Sequence, residues 1–293
     1  MKSGTTIVFR TACLLSLLFA ATASAQSWAY DDGTTPYVPS PPEVVDRMLR
    51  LAQPKAGELL IDLGSGDGRI VIEAAKKYGA RGLGVDIDPR LVRLAQDNAR
   101  AAGVEGLARF ESRNFFEMDF SGADIVSAYL LPDVNMELRP KLLAMKPGTR
   151  IVTHDYHMGD WAFDEMVEIP VAEKLVGPTG RSRAYLFVVP ADVRGTWRTS
   201  LPEHGGAWEF RIAQKHQLLD VTARVGVNEQ HVRGLRLRGT EVRLIMTGIV
   251  GAKPFTQAFV GTVAGESIEG QVTITGGDEE KRTLPWRATR TTR

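Results

Sequence analysis

The chain has 293 residues, with 36 Lys and Arg against 35 Asp and Glu, and one cysteine, Cys13. Near-neutral charge argues against broad affinity for nucleic acid. Cys13 lies in an N-terminal apolar run, so a disulfide framework, a thiolate metal site and a cysteine nucleophile are all excluded from the rest of the chain.

Residues 1–25 read as a secretory signal peptide. Lys2 and Arg10 form a basic start, Thr11 to Ala21 an apolar core too short to span a bilayer, and Ala23-Ser-Ala25 a small-residue cleavage site before Gln26. The expectation is an exported protein, periplasmic or secreted. Residues 26–42 are polar and proline-rich, which favours extended backbone. Ser40 then suits an N-cap, with Pro41 at the first helical position and Glu43 closing a capping box before a helix over Val44 to Leu51.

Strands and helices alternate from there. Strands are expected at 58–62, 82–86, 108–112, 124–129 and 149–154, and helices at 67–78, 88–103 and 133–145. Gly79 suits the end of one helix, and Asp88-Pro89 the start of the next. The rhythm predicts a Rossmann-like, doubly wound α/β sheet over 43–190. Strand-like stretches follow at 165–172 and 182–189, with no helix of comparable length between them. Past Pro190 the pattern changes to period-2 runs broken by Gly, Asn and Asp about every ten residues. That predicts a smaller all-β domain over 191–293, a sandwich or a barrel, with Trp197, Trp208 and Trp286 in its core.

The richest stretch is Ile61-Asp-Leu-Gly-Ser-Gly-Asp-Gly68, a strand feeding a helix through alternating glycines. Such a turn lets a ligand lie against bare backbone. Asp86 ends the next strand about twenty residues on, where a carboxylate in nucleotide-binding α/β folds accepts from both ribose hydroxyls. Asp88 is the neighbouring alternative, with a better fit as an N-cap. His154 and His157, with Asp155 and Asp160 close by, read as a substrate-pocket wall and not as a metal site.

The pattern Asp62-x-Gly64-x-Gly66-x-Gly68 resembles that of class I methyltransferases, which use S-adenosylmethionine (SAM). This likeness implies a seven-stranded sheet in which 165–172 and 182–189 form a final antiparallel pair. The resemblance implies that backbone amides from Gly64 through Ser65 and Gly66 to Gly68 receive the methionine carboxylate. Asp62 or a neighbouring carbonyl would take its ammonium. Asn114, at the end of the third strand, would read the adenine, with Phe115 or Phe116 on the base. Tyr129 ends the fourth strand beside the methyl group, where an aromatic face favours a cation.

Pro36-Tyr-Val-Pro39, the glycine motif, Asn114-Phe-Phe, Tyr129-Leu-Leu-Pro132 and Trp161 together resemble the lysine N-methyltransferases, the family that includes the mitochondrial ATP synthase c-subunit enzyme. The likeness covers about residues 36–190. It implies methylation of a protein lysine amine by in-line displacement, with Tyr129 and Pro132 in the catalytic turn and the segment around Tyr37 closing over SAM. The partner implied is a protein substrate, with an envelope or membrane-associated one open and nucleic acid not expected. The competing reading is a non-catalytic SAM-, nucleoside- or envelope-binding module on the same fold.

Overall fold

The structure is a computed structural model that describes residues 37–172, 174, 180–201, 206–226, 228–250, 253–276 and 279–293. The expected signal peptide and most of the proline-rich segment lie outside the described residues. Seven strands make the first sheet: β1 (Leu59–Leu63), β2 (Arg81–Asp86), β3 (Ala108–Ser112), β4 (Ile125–Ala128), β5 (Arg150–His154), β6 (Glu165–Pro170) and β7 (Arg181–Val188). Their order is β3-β2-β1-β4-β5-β7-β6. The first five are parallel, and β7 runs antiparallel to both β5 and β6.

Strand order reverses between β1 and β4, and in open parallel sheets ligands lie outside the carboxyl ends of the strands at such a point. Both faces of the sheet are covered, as its near-continuous apolar strands require. Leu60 joins the core with α1 (Pro42–Ala52), α2 (Arg69–Tyr78) and α3 (Pro89–Ala101). Its neighbours Ile61 and Leu63 point the other way, into a core with α4 (Pro132–Leu143), Phe120 and Trp161.

Two helix starts contrast. Asp88 caps α3 as expected, accepting from the Arg90 N–H at 2.8 Å. Ser40 does not cap α1. The cap position is Pro41, with no side-chain bond, and the Ser40 hydroxyl lies 2.8 Å from Nδ1 of His154 instead. A buried imidazole needs that partner more than a helix start already favoured by Pro42 does.

The second sheet has nine antiparallel strands. They are β8 (Gly195–Leu201), β9 (Gly206–Lys215), β10 (Leu218–Val225), β11 (Asn228–His231), β12 (Arg233–Arg238), β13 (Glu241–Val250), β14 (Lys253–Ala264), β15 (Ser267–Gly276) and β16 (Glu279–Thr292). Their order is β11-β10-β9-β8-β16-β15-β14-β13-β12. The two edge strands, β11 and β12, are joined through Val232, whose N–H donates to Val221 O in β10 at 3.1 Å. The sheet thus curls into a nearly closed barrel, the second of the two forms expected. Trp197, Trp208 and Trp286 are all buried in it, with Phe210 and Phe259. Phe259 meets Trp286 edge-on at 5.1 Å and Phe210 at 5.6 Å. Side chains fill the interior, as in other small barrels. Strands β8 and β11 escape the sequence pattern, being short and poorly alternating.

Candidate active site

Asp62 is 2% exposed and accepts from the Ser127 hydroxyl of β4 at 2.7 Å, across the point where strand order reverses. Burial, aided by the charges of Asp86 and Asp67 and opposed by the Ser127 bond, raises its pKa to about 7. Among the described residues no cation pairs with it. A carboxyl so placed is a ready acceptor for an arriving ammonium.

The three loop glycines have positive φ, 73° at Gly64, 55° at Gly66 and 82° at Gly68. At Gly68 a Cβ would sit 2.6 Å from the Phe110 ring and 2.9 Å from Ala95, so this glycine also lets helix and strand pack closely. The loop amides are engaged differently from the expectation. Gly64 and Ser65 both donate to Val85 O at 2.9 Å, Gly66 to the Asp86 carboxylate at 2.9 Å, and Gly68 to Ser65 O at 2.9 Å. Folding the loop back over the end of β2 directs these N–H groups into the protein. The Ser65 hydroxyl, in contrast, is buried without a hydrogen-bond partner among the described residues.

Asp86 ends β2 and is 9% exposed. Burial raises its pKa, against the N–H bonds from Asp88 (3.0 Å) and Gly66. Ile87, which no sequence pattern marks, comes next with its apolar side chain 65% exposed. The Asn114 side chain is engaged locally, donating to Glu117 at 3.0 Å and accepting from the Phe116 N–H at 3.1 Å. Phe115 and Phe116 are partly buried with ring centroids 4.8 Å apart. Tyr37 is partly buried.

Tyr129 comes directly after β4, and Pro132 opens α4 at its first position, after the exposed Leu131. The Tyr129 ring lies over His154, centroids 3.8 Å apart, with Tyr156 at 6.2 Å. Its phenol bonds to Asp155, and burial followed by the Asp155 charge pushes its pKa well up. Asp155 comes directly after β5 with φ 60°, and its carboxylate also accepts from the Arg183 N–H at 2.9 Å and pairs with Lys174 Nζ at 2.7 Å. His154 is 2% exposed, between Ser40 Oγ and Ser182 Oγ (3.1 Å from Nε2). Burial lowers its pKa to about 4, with Asp155 opposing and Lys174 adding, so the ring is uncharged at neutral pH.

The pocket-wall reading of the histidines divides here. His154 lies under Tyr129, while His157 accepts from the Gly159 N–H at 3.0 Å. Among the described residues no three His, Cys, Asp or Glu are grouped to hold a metal. Lys174, Ser40 and Ser182 were not expected here as site residues. No local pattern marks them, since they converge only through the fold.

The family model of the ANTKMT methyltransferase domain matches residues 62–165. A protein-lysine N-methyltransferase of Saccharolobus islandicus is 43% identical over 136 residues, 46% of this chain and 84% of that protein. The chain belongs to the ANTKMT methyltransferase family. As such it is a SAM-dependent methyltransferase. The ATP synthase c-subunit lysine N-methyltransferase of Mus musculus is 33% identical over 130 residues, 44% of this chain and 52% of that protein. This ANTKMT-type chain thus spans about half the length of its mouse relative. A solved protein of Salinibacter ruber, described as an RNA methyltransferase in complex with S-adenosyl-L-homocysteine, is 48% identical, covering 53% of this chain and 96% of that one at a TM-score of 0.48.

Proposed function

We propose that this chain transfers a methyl group from SAM to the side-chain amine of a protein lysine. The carrying observation is the end of β4 and β5, where the Tyr129 ring lies over an uncharged His154 and its phenol meets the Asp155 carboxylate. An aromatic face and a carboxylate side by side suit a lysine ammonium. The relatives named as lysine methyltransferases support the same acceptor.

SAM supplies, when bound, a methyl group on a cationic sulfur open to in-line displacement. The residues at the switch point fit it. Asp86 accepts from the ribose hydroxyls with lone pairs its two N–H bonds leave over, and exposed Ile87 offers an apolar contact to the adenine. Asn114 and Phe115, which follow β3, would read and cover the base. The Asp62 carboxylate would hold the methionine ammonium, and the Ser65 hydroxyl, unpartnered among the described residues, would bond to the cofactor. With the loop amides engaged inside, Gly64, Gly66 and Gly68 act by close approach of backbone more than by donation. Tyr129 and the turn to Pro132 align the amine, and alignment is most of what an in-line methyl transfer requires.

Export belongs to the same reading, resting on residues 1–25. Mass spectrometry of protein from the native host should find Gln26 at the amino terminus, and an intact Met1 would overturn export. The acceptor is tested by labelled-methyl transfer from SAM to fractions of the source organism, followed by acid hydrolysis. Label recovered as methyl-lysine is the expected result. Label confined to RNA, lipid or a small molecule overturns the lysine acceptor, and tight SAM binding without any transfer favours a binding module.

A further inference from the structure

We propose that Lys174 is itself a methyl acceptor, modified in cis in the chain's own acceptor pocket. The proposal rests on the function above and adds a modification site to it. Lys174 lies between β6 and β7, yet only 4% of its side chain is exposed. Its Nζ pairs with Asp155 at 2.7 Å and donates to Arg181 O at 2.7 Å. The same Asp155 carboxylate takes the Tyr129 phenol, so the ammonium of Lys174 shares a partner with the ring at the end of β4. His154 completes the surroundings, with Nε2 3.5 Å from Asp155.

Other elements here turn their charges elsewhere. Arg183 gives Asp155 only its backbone N–H, while its guanidinium pairs with Glu168 at 3.5 Å. Thus Asp155 is the one carboxylate that pairs with Lys174 among the described residues. A lysine placed merely for solubility would extend to water, since desolvating an ammonium is costly. An ammonium given a carboxylate and a carbonyl beside the reacting end of the sheet has the setting that an incoming substrate lysine needs.

The step balances as an ordinary amine methylation. Lys174 Nζ first gives one proton to Asp155, which passes it to solvent. The freed electron pair then forms the N–CH3 bond as the S–CH3 bond of SAM breaks, and the sulfur keeps that bond's electrons and leaves as neutral S-adenosylhomocysteine. Each round adds one methyl group and releases one proton. Because a methylated ammonium stays charged, the pair with Asp155 survives the first two rounds, which retain an N–H.

Two measurements test this on the full chain. In SAM-free protein, acylation of lysines by an N-hydroxysuccinimide ester should leave Lys174 at least about tenfold less labelled than Lys215, whose side chain is 67% exposed. Incubation with SAM and no other acceptor should then add mass in steps of one methyl group, localised by peptide mass spectrometry to Lys174. The rate should be independent of protein concentration, as reaction in cis requires. Lys174→Arg should abolish the added mass while binding SAM like the parent. Ready acylation of Lys174 in folded protein overturns the buried placement. A chain that binds SAM and methylates an external lysine, but leaves Lys174 unmodified, overturns this proposal alone. A chain that binds no SAM overturns the function reading, and this proposal with it.

Discussion

The two sheets differ in where they bury polar side chains. In the seven-stranded sheet Asp62, Asp86, Ser127, Thr153 and His154 sit at or near the carboxyl ends of the strands, none more than 9% exposed. Among the described residues Asp62 has the Ser127 hydroxyl but no cation beside it, and the Ser65 hydroxyl has no partner. In the barrel the buried polar residues are Thr199, Gln257 and Arg290 among the described ones. Arg290 lies over the Trp197 ring at 4.7 Å and pairs with Glu266 at 3.1 Å. Burying a polar group costs free energy unless something bonds to it. Both sheets bear some of that cost, since Thr199 Oγ1 and Gln257 Oε1 of the barrel also have no hydrogen-bond partner among the described residues. The first sheet nevertheless gathers its polar groups at the strand ends, while the barrel fills its middle with rings. The lesson is that the barrel's largest residues carry stability, whereas the first sheet's smallest and most polar ones carry chemistry.

Truncating a ring should separate the two most sharply. Phe259→Ala removes a fully buried side chain between Phe210 and Trp286, at about 3–5 kcal/mol of stability. Chemical denaturation should show that loss, with SAM affinity measured on the folded protein unchanged. A fall in affinity would mean that the barrel helps to build the site.

Asp62→Asn should act in the opposite direction. The folded pKa of Asp62, about 7, lies above its ordinary 3.8, so its stabilising contribution is full below about 4 and is lost as pH rises through 7. At about 1.4 kcal/mol per pH unit, holding this group charged costs the SAM-free protein on the order of 4 kcal/mol at most. The variant should therefore be more stable than the parent at pH 8, equal to it near pH 4, and weaker in binding SAM. His154 has the reverse slope. Its pKa is held down to about 4, so its contribution is present above 6.5 and is lost as pH falls through 4. His154→Gln should flatten the acid side of the stability profile. An unchanged profile in either variant would contradict the buried placement of that residue.

Gly68→Ala is smaller in scale. A side chain at φ 82°, against Phe110 and Ala95, should cost about 1–3 kcal/mol in thermal or denaturant unfolding. Smallest is Tyr129→Ala, which removes an aromatic face worth about 0.5–2 kcal/mol. Turnover should fall by about three- to thirtyfold with SAM affinity nearly unchanged. Equal losses in both would make Tyr129 a cofactor contact instead.

The same contrast explains what was legible in the sequence. Elements of the first sheet were readable almost to the residue, because continuous apolar strands alternate with helices punctuated by Gly79 and Asp88-Pro89. Asp62, the glycines and Asp86 stood out for the same local reason. In the barrel the long strands β13 to β15 showed by period 2, while β8 hid among Arg, Thr and Ser. The acceptor end was only half legible. Tyr129 could be placed from the end of β4, but Ser40, Ser182 and Lys174 come from segments far apart in the chain and meet at His154 and Asp155 only when the sheet is assembled. The direction of the loop amides was equally hidden, since the turn of Gly64 and Ser65 back onto Val85 O is a property of the folded strand ends.

Calorimetric titration of the full chain with SAM, beside its Asp86→Ala variant, tests the central claim most directly. Two hydrogen bonds from the ribose to a charged group, at about 1.5–3 kcal/mol each, predict that the variant loses about a hundredfold to ten-thousandfold in affinity while remaining folded. Parent-like binding by a folded Asp86→Ala protein would contradict the placing of SAM at the carboxyl ends of β1 and β2.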